Sequence, residues 1–414
     1  MKLLKRLKSQ TGIALILVLS SITILTTMAV EFAYNANVNY HLARNEVDRL
    51  KAIYLAKSAY NFMRVELKFD RVFRQIVQSQ NLGQFLGANA SLPLCQQFPL
   101  STGLIRAVFM GGEGNDVLPD ELKGMVSMAA QTEAQEFLDF EGDFDAVCVD
   151  ESVKINLNGF YGLDPAQKVA EGYNAYDKLK IDLAKFLARK QYAHLFEDAG
   201  IKTGDVVRNI ADWIDSNEMI NEIGGAEAGP EMMLYERQQT NYPIKNSKFS
   251  TLDEAFLVAG VVDEWFAPIK KFFTIYGDGA VNVCNAEEIV VHEVIRRYVE
   301  DNPDLPPIKL DDPETMEKLV TAVYDGCAMG GIGDQQKQQI ASSLNAALGA
   351  LGETEQSEQT AGTSGFANLI STEPRFFSLT LTGVVGDVSV VIDAVLDVKD
   401  ANPKRWNLLY WRMY

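Results

Sequence analysis

The residues whose types and spacing best suit chemistry form a short run of oxygen-bearing side chains. Asp212, Asp215, Ser216 and Asn217 lie close together, and Glu227 follows after a glycine pair. Carboxylate and amide oxygens are the ligands that a hard cation such as Ca²⁺ prefers, although the EF-hand spacing is absent. The run therefore predicts a calcium site with Asp212, Asp215, Asn217 and Glu227 as ligands. The alternative is that the two aspartates cap a helix and that Asn217 turns the chain.

Four cysteines form a second group with possible chemistry: Cys95, Cys148, Cys284 and Cys327. They are widely spaced and have none of the pair spacings of a zinc site. An even number of cysteines in an oxidising compartment predicts two disulfides, with three possible pairings. Four buried free thiols are the alternative.

Histidines give no sign of catalysis. His41, His194 and His292 are isolated in the sequence and are not part of a metalloprotease motif or a nucleophile elbow. No phosphate-binding loop or dinucleotide fingerprint is present either. We therefore expect that the protein is not an enzyme.

The N-terminus contains a long apolar segment, which should position the rest of the chain relative to a membrane. Four cations, Lys2, Lys5, Arg6 and Lys8, precede the uncharged run Gly12–Val30. As a helix this run would span roughly 28 Å, which is about the thickness of the bilayer hydrocarbon. The cations predict that the N-terminus stays in the cytoplasm and that everything after the run lies outside.

This N-terminal stretch has three interpretations: a cleaved secretory signal, an ordinary anchor, or a prepilin leader. A basic leader that ends in glycine before an apolar helix resembles the class III signal of type IV pilins and type II secretion pseudopilins. The resemblance implies cleavage by a prepilin peptidase after Gly12, which leaves a methylated Ile13 as the mature N-terminus. These proteins mostly carry glutamate at the fifth mature position, which here is Leu17. A subunit at the filament tip has no predecessor whose amine a glutamate could meet.

Several short motifs in one order resemble the general secretion pathway protein K family, the type II secretion minor pseudopilins. They are KINLN at Lys154–Asn158, DWID within Ile210–Glu218, Gly225–Glu227, Tyr235 and Asn241–Asn246. The family resemblance also supports calcium binding in the helical head. It implies a minor pseudopilin at the tip of the pseudopilus, which starts or caps filament assembly for protein export.

The same resemblance sets the expected partners and location. Partners would be the other minor pseudopilins of a tip complex, the prepilin peptidase, the secretion machinery and exported proteins. The chain would cross the inner membrane once, with its C-terminal head in the periplasm. The net charge of −18 argues against nucleic acid as a partner. A type IV pilus minor pilin is one alternative, and a membrane-anchored periplasmic binding or hydrolytic domain is another.

Helix-forming residues without proline or glycine continue from Glu31 to Arg74, so the helix should reach about Gln78. Its apolar residues predict a stripe that packs on a sheet. The stripe consists of Val47, Leu50, Tyr54, Ser58, Phe62, Val65, Phe69 and Val72. Apolar alternation after Asp145 predicts a hairpin over 145–158 that turns at Asp150–Ser152. Two more strands turn at Gly386-Asp387, and a last strand follows Pro403, which predicts an antiparallel meander.

The predicted fold class is α+β: a pilin-like long N-terminal helix packed on an antiparallel β-sheet, with a large inserted α-helical domain. The predicted parts are a leader at 1–12, a transmembrane half-helix at 13–30, an amphipathic half-helix at 31–78, a first pilin-like part at 79–158, the inserted domain at 159–351, a flexible loop at 352–372 and C-terminal strands at 373–414. Within the first pilin-like part, a turn is predicted at Gly111–Asp116.

Overall fold

The computed structural model describes residues 3–79, 92–110, 140–236, 242–329, 333–352 and 364–414. The turn predicted at Gly111–Asp116 lies outside these residues, and so do residues 353–363 of the loop predicted at 352–372. Helix α1 runs from Leu3 to Ser79, as expected for an unbroken helix. Within it, Gly12–Arg74 is long and apolar enough to cross a membrane, with a mean hydropathy of 2.4 in its most apolar part.

The other helices and strands follow in chain order. The described helices after α1 are α2 (Leu94–Gln97), α3 (Thr102–Met110), α4 (Ala175–Leu187), α5 (Lys190–Ala199), α6 (Thr203–Ile214), α7 (Asp263–Ile269), α8 (Glu288–Asp301), α9 (Pro313–Ala328), α10 (Gly333–Leu351) and α11 (Ser364–Leu369). The described strands are β1 (Leu100–Ser101), β2 (Asp143–Asp150), β3 (Ile155–Asn156), β4 (Met219–Asn221), β5 (Glu227–Pro230), β6 (Phe273–Thr274), β7 (Val281–Asn282), β8 (Ile370–Ser371), β9 (Phe376–Val385), β10 (Val388–Asp397) and β11 (Asn407–Met413).

Local signals in the sequence explain several of these boundaries. Asn174 caps α4, because its side-chain oxygen accepts the Asp177 amide at 2.8 Å. Asp312 caps α9 in the same way, and Pro313 occupies the first turn, where no amide hydrogen is needed. Gly200 ends α5 in the left-handed conformation at φ 65°.

The main sheet has the order β1-β2-β9-β10-β11, with antiparallel pairing throughout. Gly386, at φ 56°, makes the tight turn between β9 and β10 where the turn was predicted. The predicted meander is therefore confirmed. Helix α1 covers one face of this sheet, and the predicted α+β fold class is confirmed as well.

Small residues bring α1 close to the sheet. Ala52, Ala56 and Ala59 are fully buried against it. Gly383 on β9 lies opposite this alanine face, where an added Cβ would collide with the Ala52 carbonyl oxygen and approach the Ala56 nitrogen to 2.8 Å. The helix and sheet backbones therefore pack at a distance that only glycine at 383 allows.

The prediction of which face of α1 packs on the sheet was wrong. Among the stripe residues, Val47, Leu50, Tyr54, Val65, Phe69 and Val72 are exposed. The buried face carries the alanines with Leu55, Met63 and Leu67 instead. Large apolar residues dominated the sequence pattern, whereas close packing on the sheet selects small ones.

The hairpin predicted over 145–158 was also wrong. Strand β2 pairs with β9, while β3 pairs in parallel with β6 in a separate small sheet. On β2 the side chains of Phe144, Ala146 and Cys148 face the core, and Val147 and Val149 are exposed. The two strands thus belong to different sheets, because the chain leaves the main sheet after Asp150.

Two hydrophobic cores result. One lies between α1 and the main sheet, and we call this part the sheet half. The other draws on residues 157–370, and we call it the helical half. Its aromatic residues include Phe196 stacked on Trp265 at 4.9 Å between ring centroids. Tyr192 and Phe196 are both buried in this core. The domain boundaries given above remain a prediction.

The predicted loop at 352–372 needs a correction at its C-terminal end. Residues 364–371 form α11 and β8, and β8 pairs in parallel with β7. Phe366 is fully buried and packs edge-on against Tyr298. The polar composition of the segment concealed this anchoring aromatic residue.

Candidate metal centre

The acidic residues singled out by sequence lie where α6 ends. The helix packs its apolar face, including Val207, Ile210 and Ile214, into the core of the helical half. Asp212 lies within its last turn and is drawn into the interior with that face. Asp215 follows in an extended conformation, which ends the helix. The chain then returns along β4 and β5 to a short 3₁₀ turn that begins at Glu231.

These elements bring three carboxyl groups together: Asp212, Asp215 and Glu231. One oxygen from each lies within 4.8 Å of the others. We call these three residues the acid group. All three are at least 98% buried, so solvent does not screen their charges.

Two neighbours hold the aspartates in place through hydrogen bonds. The Tyr176 hydroxyl donates to Asp215 Oδ2 at 2.7 Å and is 3.2 Å from Asp212 Oδ1. Asn221 donates its side-chain amide to Asp215 Oδ2 at 3.1 Å and its backbone amide to Asp212 Oδ1 at 3.3 Å. Asp215 also accepts the Asn217 backbone amide at 3.1 Å, so it is held by three donors, whereas Asp212 is held by the Asn221 amide and lies beside the same hydroxyl.

Other oxygens of the acid group have no such donor. Asp212 Oδ2 and both carboxyl oxygens of Glu231 are buried and have no hydrogen-bond partner among the described residues. A buried carboxylate without a partner is costly, because burial removes its hydration and nothing replaces it. The group must therefore hold protons or a cation.

The pKa values of the acid group reflect the same cost of burying a carboxylate. Burial, together with the charges of Asp212, Asp215 and Glu218, raises the pKa of Glu231 to about 9. Burial also raises the pKa of Asp212 to about 7. The pKa of Asp215 is raised for the same reason. Without a cation, Glu231 is protonated at neutral pH.

The residues present fit a calcium ion. Calcium takes oxygen ligands at about 2.3–2.6 Å, so two ligands on opposite sides of one ion are about 5 Å apart. The oxygens of the acid group lie within 4.8 Å of one another, which agrees with this spacing. Asp212 Oδ2 and the two Glu231 carboxyl oxygens accept no hydrogen bond, so they are the oxygens that would coordinate an ion.

The structure places the four predicted ligands differently. Asp212 and Asp215 belong to the acid group. The side-chain oxygen of Asn217 accepts the Met219 amide at 2.7 Å, so it shapes the loop beside the group. Glu227 is exposed on β5 and lies outside the group, and Ser216 is exposed as well. Glu231, which sequence reasoning missed, takes the place given to Glu227.

Gly12 and Ile13 lie within α1 and are exposed. A Cβ added at Gly12 would meet nothing within 4 Å, so packing gives no reason for glycine at this position. The processing role assigned to these two residues remains a prediction.

The cysteines form two disulfides in the structure. Cys95 pairs with Cys148 inside the sheet half, with 6.0 Å between their Cα atoms. Cys284 pairs with Cys327 in the helical half, at 5.7 Å. The sequence had left the pairing open, and the structure gives each half one bridge of its own.

Comparisons with known proteins gave a family match over part of the chain and a similar solved structure. Residues 154–278 match the family model described as type II secretion system protein K. This segment contains the whole acid group. The crystal structure of the GspK-GspI-GspJ complex from the type 2 secretion system of enterotoxigenic Escherichia coli is similar at a TM-score of 0.43 and 14% identity, over 66% of this chain and 80% of that one. No curated protein sequence matches the chain.

Proposed function

We propose that this chain, whose residues 154–278 match type II secretion system protein K, is a minor pseudopilin at the tip of the type II secretion pseudopilus. The family match carries the proposal. The role is assembly and not catalysis: the protein starts or caps a filament that serves protein export across the outer membrane.

The outer face of α1 supports an assembly role. Leu50, Tyr54, Val65 and Phe69 are all more than half exposed, on the side of the helix that faces away from the sheet. Exposed apolar residues along one face of a helix are typical of a protein interface. The face lies on the same helix as the membrane-spanning part, so neighbouring subunits can pack along both.

The proposed partners are other minor pseudopilins, in the way that the E. coli complex joins GspK with GspI and GspJ. The prepilin peptidase, the secretion machinery and exported proteins complete the list. The chain would be anchored in the inner membrane by α1, with both halves of the head in the periplasm. Leu17, which stands where most pilins have glutamate, suits the tip position.

Processing at Gly12 gives the first test. Replacing Gly12 by Leu should leave the leader attached and abolish secretion, while Thr26→Val in the membrane run should leave both unchanged. Mass spectrometry of the N-terminal peptide should find a methylated Ile13 in the wild type. An intact wild-type leader would favour an anchored binding or hydrolytic domain. Lost pili with normal secretion would favour a type IV pilin.

The outer face of α1 gives a second test. Val65→Glu should abolish co-purification with the other minor pseudopilins, because it places a charge in an apolar interface. The matched control is Val147→Glu on β2, since the two valines are similarly exposed at 51% and 48%. Equal losses from both variants would count against this interface.

We also propose that Asp212, Asp215 and Glu231 bind Ca²⁺ and so stabilise the helical half. A ligand at 100 times its dissociation constant adds about 2.7 kcal/mol to the free energy of unfolding. The detergent-solubilised chain should therefore melt at a higher temperature with Ca²⁺ than with a chelator.

Two glutamates allow a matched test of the calcium site. Glu231→Gln should remove most of the calcium-dependent shift, and Glu227→Gln should keep it, because Glu227 is exposed outside the acid group. If Glu227→Gln removed the shift and Glu231→Gln did not, the ligand set predicted from sequence would replace the one proposed here.

A further inference from the structure

The helical half contains a cavity between α4, α8 and the 3₁₀ turn at Leu157–Phe160. Its volume is about 480 Å³, which is in the range of small-ligand sites in proteins. Much of its wall is apolar, with Phe160, Leu183 and Val294 among the lining residues. All three are buried members of the core of the helical half. The cavity therefore suits an apolar group.

Three charged side chains in the wall have unmet hydrogen bonds. They are Asp182 on α4 and, one turn apart on α8, Glu293 and Arg297. Asp182 Oδ2, Glu293 Oε1 and Arg297 Nε are buried, and none has a hydrogen-bond partner in the structure. Arg297 Nε lies 3.5 Å from Asp182 Oδ2, so the two charges attract each other without forming a hydrogen bond. Glu293 is only 7% exposed, and an unpaired polar atom at such depth is costly.

Other polar side chains of the lining are bonded or exposed. The Asn156 side chain donates to the Gly277 carbonyl oxygen at 2.9 Å and accepts the Asn158 amide at 2.9 Å. Asp278 and Asn368 are exposed to solvent. The buried side chains of the wall therefore offer two unpartnered acceptors and one unpartnered donor.

The charges around the cavity are balanced. The lining contains three acids and two cations, and Arg189 adds a third cation because it donates to Glu293 at 2.9 Å. The acids are Asp182, Asp278 and Glu293, and the two lining cations are Arg297 and Lys337. Further acids nearby have cations of their own: Glu300 with Lys185, Asp301 with Lys178, Asp311 with Arg296 and Asp397 with Arg375. The surroundings therefore select neither an anion nor a cation.

Burial also opposes a charged ligand. It raises the pKa of Asp182 to about 7, and it raises the pKa of Glu293. The same loss of hydration would act on any ionised group that entered the cavity. An uncharged ligand avoids this cost.

A primary carboxamide is uncharged and complements the three unpartnered atoms. It has two N–H donors, which suit the oxygens of Asp182 and Glu293, and one carbonyl acceptor, which suits Arg297 Nε. We propose that this cavity binds small uncharged apolar molecules that carry a carboxamide. The site shares no residue with the acid group and goes beyond the assembly role.

The test uses three probes of nearly the same shape and the full-length chain in detergent. N-acetylphenylalaninamide has the terminal carboxamide, N-acetylphenylalanine methyl ester lacks its two donors, and N-acetylphenylalanine replaces it by a carboxylate. Ligand-observed NMR titration should give a dissociation constant on the order of 1 mM or tighter for the amide. The ester and the carboxylate should each bind at least about tenfold more weakly.

Two pairs of variants locate the binding. Leu179→Trp enlarges a side chain of the cavity wall and should abolish binding, whereas Leu195→Trp should not, because Leu195 is a half-buried leucine on α5 outside the lining. Glu293→Gln turns the unpartnered acceptor into a donor and should weaken amide binding about tenfold. Glu288→Gln is the control on the same helix, since Glu288 is 63% exposed, and it should change binding by less than about twofold.

Amide binding that is lost in Leu179→Trp and kept in Leu195→Trp supports the proposal. Unchanged binding in Leu179→Trp overturns it, because the probe would then sit elsewhere on the chain or in the detergent. The wild type gives a reading that needs no variant to fold: no binding of the amide at about 10 mM, or equal binding of the carboxylate, overturns the proposal. Neither result bears on the assembly role, which co-purification with the other minor pseudopilins tests separately.

Discussion

The two halves of the molecule hold together by different means. In the sheet half, the alanine face of α1 meets Gly383, and the fit is one of small residues at short range. In the helical half, large aromatic residues fill the core, and that core also encloses the acid group. Steric fit determines which substitutions the sheet half tolerates, and buried charge determines which ones the helical half tolerates. A substitution should therefore have its effect through volume in one half and through charge in the other.

Each half also has its own disulfide, and Asp150 lies where the halves meet. At the end of β2, Asp150 accepts the Ser152 amide at 2.8 Å and the Asn282 side-chain amide at 3.2 Å. Arg74 of α1 adds a favourable charge to the same carboxylate. The halves can therefore be perturbed one at a time, or together at this junction.

The largest effect should come from Gly383→Ala, since the new Cβ collides with the α1 backbone. We expect a loss of at least about 4 kcal/mol in the free energy of unfolding, at the high end for one substitution. Hydrogen exchange should rise in β9 and β10 and stay low in α8 and α9. Gly349→Ala on α10 is the control, because a Cβ there meets nothing within 4 Å. Equal exchange in both halves would mean that they do not unfold separately.

Removing the disulfides should give the next largest effects. Each bridge closes a loop of similar length, with a sequence separation of 53 for Cys95 and Cys148 and of 43 for Cys284 and Cys327. Loops of this size predict a loss of about 3–4 kcal/mol for each serine pair. Hydrogen exchange should rise in the sheet half for the first pair and in the helical half for the second. A rise in the opposite half would contradict the separation of the two cores.

The junction should show a pH dependence. Burial raises the pKa of Asp150 from 3.8 to about 6, so between these values the native chain binds a proton that the unfolded chain releases. Stability from this group is present below about pH 4 and is lost as pH rises through about 6, by on the order of 3 kcal/mol at 1.36 kcal/mol per pKa unit. Asp150→Asn should remove this part of the slope in unfolding measurements from pH 4 to 7.

Asparagine can keep the hydrogen bonds at position 150. The side-chain oxygen of Asn282 has no partner among the described residues, so its amide can turn to accept from the new side chain. Asp145→Asn is the control, because Asp145 is exposed on the same strand. If the slope of Asp150→Asn matched that of the wild type, another group would be responsible.

The smallest effect concerns the edge of the sheet. Trp411 of β11 packs edge-on against Tyr60 of α1, with ring centroids 5.2 Å apart. Tyr60→Leu should cost about 1 kcal/mol in denaturant unfolding, since the apolar contact survives and the aromatic geometry is lost. Tyr54→Leu, on the exposed face of α1, should cost less than about 0.5 kcal/mol. Equal costs would show that Trp411 adds nothing to helix docking.

Sequence motifs and local patterns were sufficient for the family resemblance and for the overall architecture. The resemblance to protein K rested on short motifs, and residues 154–278, which contain several of them, match the family model of type II secretion system protein K. The long helix, the meander at 373–414 and the α+β class are confirmed because local signals determine them: helix formers without breaks, and alternating strands around a Gly386 turn. The calcium site, processing at Gly12 and the domain boundaries stay predictions.

Tertiary structure decided what depends on contacts between distant residues. The buried face of α1 was decided by Gly383, more than 300 residues away, and hydrophobic periodicity favoured the larger residues of the outer face. Asp212 and Asp215 were visible in the sequence because they are neighbours, whereas Glu231 joins them only through the fold of β4 and β5. Asp182 and Glu293 come from two different helices and carried no signal at all. Periodicity and motifs report on adjacent residues, but a buried charge is determined by whatever the fold packs around it.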